Sequence, residues 1–285
     1  KYWEIKCQNP AWPGDPDGFC ILHSQDKEKN PDDFQAALQA RWKQTDQESY
    51  DFRGVFFPGF FEPVEVFGSQ EFNQPVDFSW ATFTKGANFY GAAFTKRAHF
   101  FKATFTEGAD FYGAAIGGPV VFWGINPRDE AGRAPSFIGI FSRLEFQDRG
   151  VLRFQDTSLA RVRFEGADLR RPEFHHVTWG SIGGRQIIYD EASLRQEEKE
   201  KPWFWDWFWA RLSGHLALIA FALEIGHTAD TTGRDSIGAY LAEEPAPPEP
   251  PWGDKYGEVE RLYRNLKLNY EAAGDYKNAG DFHYG

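Results

Sequence analysis

Large apolar residues recur along the middle of the chain at alternating steps of five and six residues. This period matches neither the 3.6 residues per turn of an α-helix nor the two-residue alternation of a strand. The repeating unit has eleven residues, and 81–91 and 103–113 show it best. We predict that the following large residues point into a core: Phe56, Phe61, Phe67, Phe72, Phe78, Phe83, Phe89, Phe94, Phe100, Phe105, Phe111, Ile116 and Phe122.

A small or branched residue stands two places before many of these large residues, as at Ala81, Ala87 and Ala103. If each unit forms one short side of a coil and then turns a corner, both residues point inward and the others face solvent. Stacked coils would pair through parallel strands about 4.8 Å apart, with each Phe lying on the Phe of the next coil. The pattern therefore predicts an all-β solenoid whose aromatic ladder is core packing and not a ligand site.

Beyond the polar, Pro-bearing loop at 126–136, the period becomes a strict five residues. A second inward residue again stands two places before each large residue. We predict that the core continues through Phe154, Leu159, Phe164, Leu169, Phe174 and Trp179.

The segments 109–113 (ADFYG) and 167–171 (ADLRR) follow the pattern Ala-(Asp or Asn)-(Leu or Phe)-x-x. This pattern resembles that of the pentapeptide-repeat family, whose members form a right-handed, quadrilateral parallel β-helix. The resemblance covers residues 50–180 and implies a solenoid of this type with helical flanking segments. With four sides per coil, each coil up to Phe122 would hold two of the eleven-residue repeats, where regular pentapeptides give four units of five. The extra residues imply a bulge-like corner repeated along one or two edges.

Residues 1–49 form a predicted N-terminal capping segment with a short helix. Asn30 and Pro31 are typical of a helix start, and Phe34, Leu38 and Trp42 follow at helical spacing. A lid is needed at this end because the first coil would otherwise expose an unpaired sheet edge. We expect the helix to close the N-terminal end of the solenoid.

The same segment contains a candidate metal site. Cys7, Cys20 and His23 offer three of the four ligands of a small zinc site, and the sequence does not identify the fourth. Two alternatives remain open: both cysteines are buried as small hydrophobic residues, or they form a disulfide. Apart from this zinc ion, we expect no cofactor.

Residues 181–225 are charged at first and then rich in tryptophan. Asp206 and Arg211 interrupt the apolar stretch, which argues against a membrane-spanning helix. Tryptophan favours boundaries between apolar surroundings and water. This segment could form such a boundary with the solenoid, with a second subunit or with lipid headgroups. We predict an interface at Trp203, Trp205, Trp207 and Trp209.

The chain ends with a Pro-rich linker at 226–253 and a predicted helical hairpin at 254–285 that breaks at Gly274. Residues 262–285 are similar to the stretch that precedes C-terminal transmembrane helices in bacterial membrane-tethered pentapeptide-repeat proteins. The resemblance implies a cytoplasmic domain held at the inner face of the membrane. The cytoplasm also fits a chain with two cysteines and with no apolar signal-peptide core in 1–30.

The formal net charge of −11 argues against direct binding of nucleic acid, which needs a positive footprint. The acidity lies in the flanks, because 50–180 carries 14 basic and 15 acidic residues. Some pentapeptide-repeat proteins mimic duplex DNA and protect gyrase-type topoisomerases, which would require dense negative charge along the solenoid. The near-neutral repeat therefore makes a DNA-mimic regulator the weaker alternative.

No phosphate-binding glycine loop, His-Glu-x-x-His motif or Gly-x-Ser-x-Gly motif occurs in the sequence. Catalysis also needs converging groups in a concave pocket, and a coil filled with phenylalanine leaves no lumen. We predict a scaffold or interaction module that is not an enzyme and that contacts a protein partner, a second copy of itself or a membrane surface.

Overall fold

Short parallel strands stack coil upon coil and form a β-solenoid, as the repeat predicts. The structure is a computed structural model and describes residues 9–44, 49–127, 136–200 and 253–282. The solenoid strands are β1 (Tyr50–Asp51), β2 (Phe56–Phe57), β3 (Glu71–Phe72), β4 (Val76–Asp77), β5 (Thr82–Phe83), β6 (Ala87–Asn88), β7 (Ala93–Phe94), β8 (Ala98–Phe101), β9 (Thr104–Phe105), β10 (Ala109–Asp110), β11 (Ala115–Ile116), β12 (Pro119–Trp123), β13 (Ile138–Ile140), β14 (Glu145–Phe146), β15 (Val151–Gln155), β16 (Arg161–Arg163) and β17 (Glu173–His175).

These strands form four parallel sheets, which we number as faces in the order in which the chain visits them. Face 1 has the strand order β1-β4-β8-β12-β15-β17, and face 2 has β2-β5-β9. Face 3 has β6-β10-β13-β16, and face 4 has β3-β7-β11-β14. The chain therefore passes from face to face around the coil before it returns to face 1.

The strand register gives the relative length of the coils. On face 1, Val76 pairs with Ala98 and Ala98 with Val120, so each of these two coils holds two eleven-residue repeats, as expected. Val120 pairs with Leu152, so the coil that contains the segment 128–135 is longer. On the same face, the residue at 154 pairs with the residue at 174. The last coil is therefore shorter than the others and consists of four five-residue units.

Phenylalanine rings fill the interior in columns that run from coil to coil. On face 1, Phe100 stacks between Phe78 and Phe122, with ring centroids 5.3 and 4.6 Å away. Because these coils have equal lengths, the rings stay in register, and they are nearly parallel, with interplanar angles of 14° and 1°. Stacking at this spacing leaves the axis of the solenoid filled with side chains.

Most of the predicted inward residues are buried, but the first coil departs from the sequence prediction. Phe56 is half-buried, and its neighbour Phe57 takes the inward place and stacks on Phe83 at 4.6 Å. Phe67 is half-buried at the end of a short helix inserted between faces 3 and 4. This insertion makes the first coil longer than the two that follow, so counting back in steps of five and six loses the register.

Three further differences concern the later coils. Phe174 is half-buried, whereas the rest of its column on face 1 is buried, because it belongs to the last strand. Phe137 and Phe141 follow the segment 128–135 and are buried, although the irregular spacing there gave no prediction for them. Phe141 continues the column of face 3 by stacking on Phe111 at 4.8 Å.

The Asp or Asn of the repeat accepts a hydrogen bond from the backbone two residues further along the chain. The Asp110 Oδ1 accepts a hydrogen bond from the backbone N–H of Tyr112 at 2.8 Å, and Asn88 does the same for Tyr90 at 3.0 Å. Such Asx turns satisfy backbone donors where the chain leaves a strand. The repeat therefore places a turn-forming residue at the end of the strand and an apolar one inside.

In the described part of the chain, one helix lies within the first coil, and four helices and an antiparallel hairpin flank the solenoid. The helices are α1 (Pro31–Trp42), α2 (Pro63–Phe67), α3 (Tyr189–Glu200), α4 (Gly253–Ala272) and α5 (Tyr276–Asp281), and the hairpin is β18 (Gly180–Ile182) with β19 (Arg185–Ile187).

The chain divides into two units. The first is Lys1–Ala192 with Glu258–Gly285, and the second is Ser193–Gly257. Within the second unit, Lys255 and Glu197 form an ion pair with the Nζ and Oε2 atoms 2.8 Å apart.

Candidate interaction surfaces

A buried lysine joins the N-terminal segment to the first coil. The Lys29 side chain is 2% exposed, and its Nζ donates to the carbonyl oxygens of Ile21, Ser24 and Phe56 at 2.8, 3.0 and 2.7 Å. Burial lowers the pKa of this amine to about 8. The ammonium thus satisfies a carbonyl at the outer edge of the first coil, where a sheet would otherwise end unpaired.

Two of the three predicted zinc ligands lie together in the described part of the chain. Cys20 Sγ is 3.1 Å from His23 Nδ1, and His23 Nε2 is 3.0 Å from the carbonyl oxygen of Arg53. Because a carbonyl only accepts, the neutral imidazole carries its proton on Nε2 and accepts from the thiol at Nδ1. Cys7 lies outside the described residues, among which no group of three or more metal-ligating side chains occurs.

Helix α4 covers the last coil of the solenoid through side-chain contacts to its backbone. The Asn269 Nδ2 donates to the carbonyl oxygens of Leu169 and Pro172 at 2.9 and 2.6 Å. Trp179 is buried and donates from Nε1 to the Tyr270 hydroxyl at 3.0 Å, and burial is the main cause that raises the pKa of Tyr270 to about 12. These contacts satisfy carbonyls at the end of the coil and bury its aromatic residues.

Two adjacent carboxylates are buried at the start of α3. Both oxygens of Asp190 accept from the backbone N–H of Phe164, at 3.2 and 3.0 Å. Glu191 accepts from the Tyr263 hydroxyl and pairs with Arg185. Burial raises the pKa of Asp190 to about 6 and, together with the bond to Glu191, raises the pKa of Tyr263. The cluster ties the start of α3 and the helix α4 to the last coil through titratable groups.

The predicted interface at Trp203, Trp205, Trp207 and Trp209 lies outside the described residues, as does the Pro-rich linker up to residue 252. Both histidines of the pair His175 and His176 are exposed. The interior is packed and the two ends of the solenoid are covered, and aromatic residues lie at the surface of two of its outer corners.

The corner between faces 1 and 2, which we call the first corner, carries aromatic rings at the surface. The ring of Phe101 lies 5.4 Å from that of Trp80 and 4.8 Å from that of Trp123. The Lys102 Nζ stands 4.6 Å from the Trp80 ring centroid and 5.3 Å from that of Phe101. Trp123 is 41% exposed, and its Nε1 donates to Asp156 at 2.8 Å.

The corner between faces 3 and 4, which we call the third corner, carries a stack of tyrosines. The rings of Tyr90 and Tyr112 lie 5.4 Å apart with an interplanar angle of 2°. The Arg143 guanidinium carbon is 5.9 Å from the Tyr112 ring centroid and extends the stack to the next coil. Tyr90 is 54% exposed, so the ladder offers one open aromatic face.

Sequence reasoning missed both corners, although a signal for them exists. Phe101 and Trp123 each follow an inward Phe directly and are two repeats apart, as are Tyr90 and Tyr112. An aromatic residue next to an inward aromatic residue must point outward in a strand. Pairs repeated at the coil length therefore indicate ladders on the surface.

No family model matches this sequence, and no curated protein or solved structure is similar enough to count as a match. What the fold defines is the architectural class, a parallel β-solenoid with flanking helices. Among the described residues, no helix has both the length and the apolar character that crossing a bilayer requires.

Proposed function

We propose that this protein is a non-catalytic scaffold or protein-interaction module of the pentapeptide-repeat type. The filled interior supports this proposal, because stacked rings such as Phe78, Phe100 and Phe122 leave no room for a substrate along the axis. The covered ends support it as well, since Lys29 and Asn269 bond backbone groups there. On this proposal, the contacts with partners lie on the outer surface of the solenoid.

The observation that carries the proposal is the tyrosine ladder at the third corner. Tyr and Arg are enriched among the residues that dominate protein interfaces, since they combine large contact area with hydrogen-bonding groups. Tyr90, Tyr112 and Arg143 place these groups in one row on rigid, adjacent coils. A preformed row loses little conformational entropy on binding, which favours a protein partner or a second copy of this chain.

The proposal requires no cofactor and no contact with nucleic acid, in keeping with the acidic flanks and the near-neutral repeat. The resemblance of the C-terminal stretch supports a role as the cytoplasmic part of a membrane-tethered protein. In that setting the solenoid would present its corners to partners at the membrane.

Site-specific photo-cross-linking tests the proposal. A benzophenone amino acid replaces Tyr112 in cells that express the full chain, and the control places it at Lys96, which is exposed at a different corner. We expect a discrete protein adduct from position 112 and none from position 96. Equal adduct patterns from both positions, or no protein adduct from position 112, would reject the third corner as an interface.

A further inference from the structure

The first corner holds a positive charge between aromatic rings set at a right angle. The rings of Trp80 and Phe101 meet edge to face with an interplanar angle of 88°, and the Lys102 ammonium lies over both. Trp123 extends this wall, since its ring lies 4.8 Å from that of Phe101. The rings border the Lys102 ammonium on more than one side, as an aromatic cage does.

The backbone takes the same conformation at this corner in each described coil. Gly54 and Gly124 pass the first corner in the left-handed region, with φ values of 67° and 61°. Trp80 and Lys102 occupy the equivalent places with φ values of 64° and 52°. Asp156 and His176 pass the same corner with φ values of 47° and 51°, so this conformation belongs to the turn of the solenoid. Glycine fits each of these places, because it adopts a positive φ without strain.

The charge beside the cage also favours a cation. Asp156 Oδ2 accepts from the Trp123 indole at 2.8 Å, which holds a carboxylate next to the aromatic wall. His176 Nδ1 lies 3.4 Å from the other oxygen of the same carboxylate. The negative faces of the Trp80 and Phe101 rings stabilise positive charge where the Lys102 ammonium lies, and the Asp156 carboxylate adds negative charge at the Trp123 end of the aromatic row.

We propose that Trp80 and Phe101, with Trp123 at the border, form a binding site for a quaternary ammonium ion, and that Lys102 occupies this site in the absence of ligand. A quaternary ammonium ion is weakly hydrated and cannot donate a hydrogen bond, so aromatic faces compensate for its desolvation more completely than for that of a lysine. The proposal assigns a small-molecule site and goes beyond the protein contacts proposed for the third corner.

Because Lys102 is tethered beside the cage, it competes with any ligand at a high effective concentration. Removing its side chain should therefore open the site. Glycine is the suitable replacement, since Gly124 holds the equivalent place in the next coil with a similar φ value. Lys102→Gly is expected to fold normally, because it relieves backbone strain at a surface corner.

The experiment measures binding of choline to the full chain by calorimetry and by ligand-observed NMR. The probe's neutral isostere, 3,3-dimethyl-1-butanol, has the same shape without the charge and serves as the ligand control. We expect Lys102→Gly to bind choline at least about fivefold more tightly than wild type and to prefer it at least about fivefold over the isostere. Undetectable binding of choline to Lys102→Gly, or equal binding of the isostere, would overturn the proposal.

Two further variants in the Lys102→Gly background locate the site. Trp80→Gly removes one wall with the residue found at Gly54 and Gly124, and it should abolish choline binding while the melting temperature shows that the solenoid is folded. Tyr112→Ser at the third corner should leave choline binding unchanged, which separates this site from the proposed protein interface. Choline binding that survives Trp80→Gly would overturn the assignment.

The ammonium group can belong to free choline or to a lipid headgroup, and vesicles distinguish these sources. If Lys102→Gly floats with phosphatidylcholine vesicles and not with phosphatidylglycerol vesicles, the headgroup is a ligand. If it binds free choline and neither kind of vesicle, the ligand is a free cation.

Discussion

The side chain of Asn126 pairs with the backbone of Phe105 as a neighbouring strand would. Asn126 Oδ1 accepts from the Phe105 N–H at 2.7 Å, and Asn126 Nδ2 donates to the Phe105 carbonyl at 3.1 Å. In the described part of the chain, β9 is the last strand of the face 2 sheet. A single buried amide therefore takes the place of a pairing strand at this coil.

Replacing Asn126 by glycine should destabilise the protein by about 2–3 kcal/mol, because two buried backbone groups of Phe105 lose their partner. Glycine keeps the left-handed backbone, since Asn126 has a φ of 50°. Alanine should cost about 1 kcal/mol more through backbone strain. Urea denaturation of both variants measures these differences, and a loss below about 0.5 kcal/mol for Asn126→Gly would contradict the pairing.

Phe100→Ala tests the stacked column of face 1. The ring is fully buried between Phe78 and Phe122, so its removal leaves a cavity that the rigid coils cannot close. We expect a loss of about 3–5 kcal/mol in the free energy of unfolding. The exposed control Lys96→Ala should change stability by less than about 0.5 kcal/mol. Similar losses for both variants would mean that the column does not carry the stability.

Asp190 should make stability depend on pH in the direction opposite to that of a carboxylate whose pKa is lowered by folding. Its folded pKa of about 6 lies above the ordinary 3.8, so folding takes up a proton between these values. Its stabilising contribution is therefore complete below pH 3.8 and is lost as the pH rises through 6. The shift corresponds to about 3 kcal/mol between about pH 4 and pH 7.

Asp190→Asn isolates this effect, because an amide oxygen can still accept from the Phe164 N–H and does not titrate. All other carboxylates are common to both proteins. The difference in unfolding free energy between wild type and variant should therefore change by about 3 kcal/mol in favour of the variant from about pH 4 to pH 7. A difference that stays constant over this range would show that Asp190 titrates normally.

The solenoid could be predicted from the sequence because the same pattern of inward and outward residues recurs in successive coils. Phe78, Phe100 and Phe122 recur at every second repeat, and the structure places them in one column. The prediction failed where a local insertion changes the count, at Phe56 and Phe67. Helix α2 adds residues to a single coil, and a period derived from the other coils cannot detect one insertion.

The surface sites could not be predicted in the same way, because their geometry depends on contacts between coils. That Lys102 lies over Trp80 follows only when the register is known, since the two residues belong to successive coils. The zinc hypothesis remains a prediction, as does the interface at Trp203, Trp205, Trp207 and Trp209. Cys20 is 4% exposed and its thiol contacts His23, which agrees with the alternative of a small buried residue.

The central claim is that this solenoid works through protein contact at the third corner, and one measurement tests it most directly. The yield of the cross-linked adduct from position 112 is compared between the otherwise unchanged chain and a chain with Tyr90→Ser. Tyr90 is exposed and outside the core, so the melting temperature should stay the same. The adduct is predicted to fall at least about fivefold, as expected when an interface loses a tyrosine that contacts the partner. An undiminished adduct at an unchanged melting temperature would contradict it.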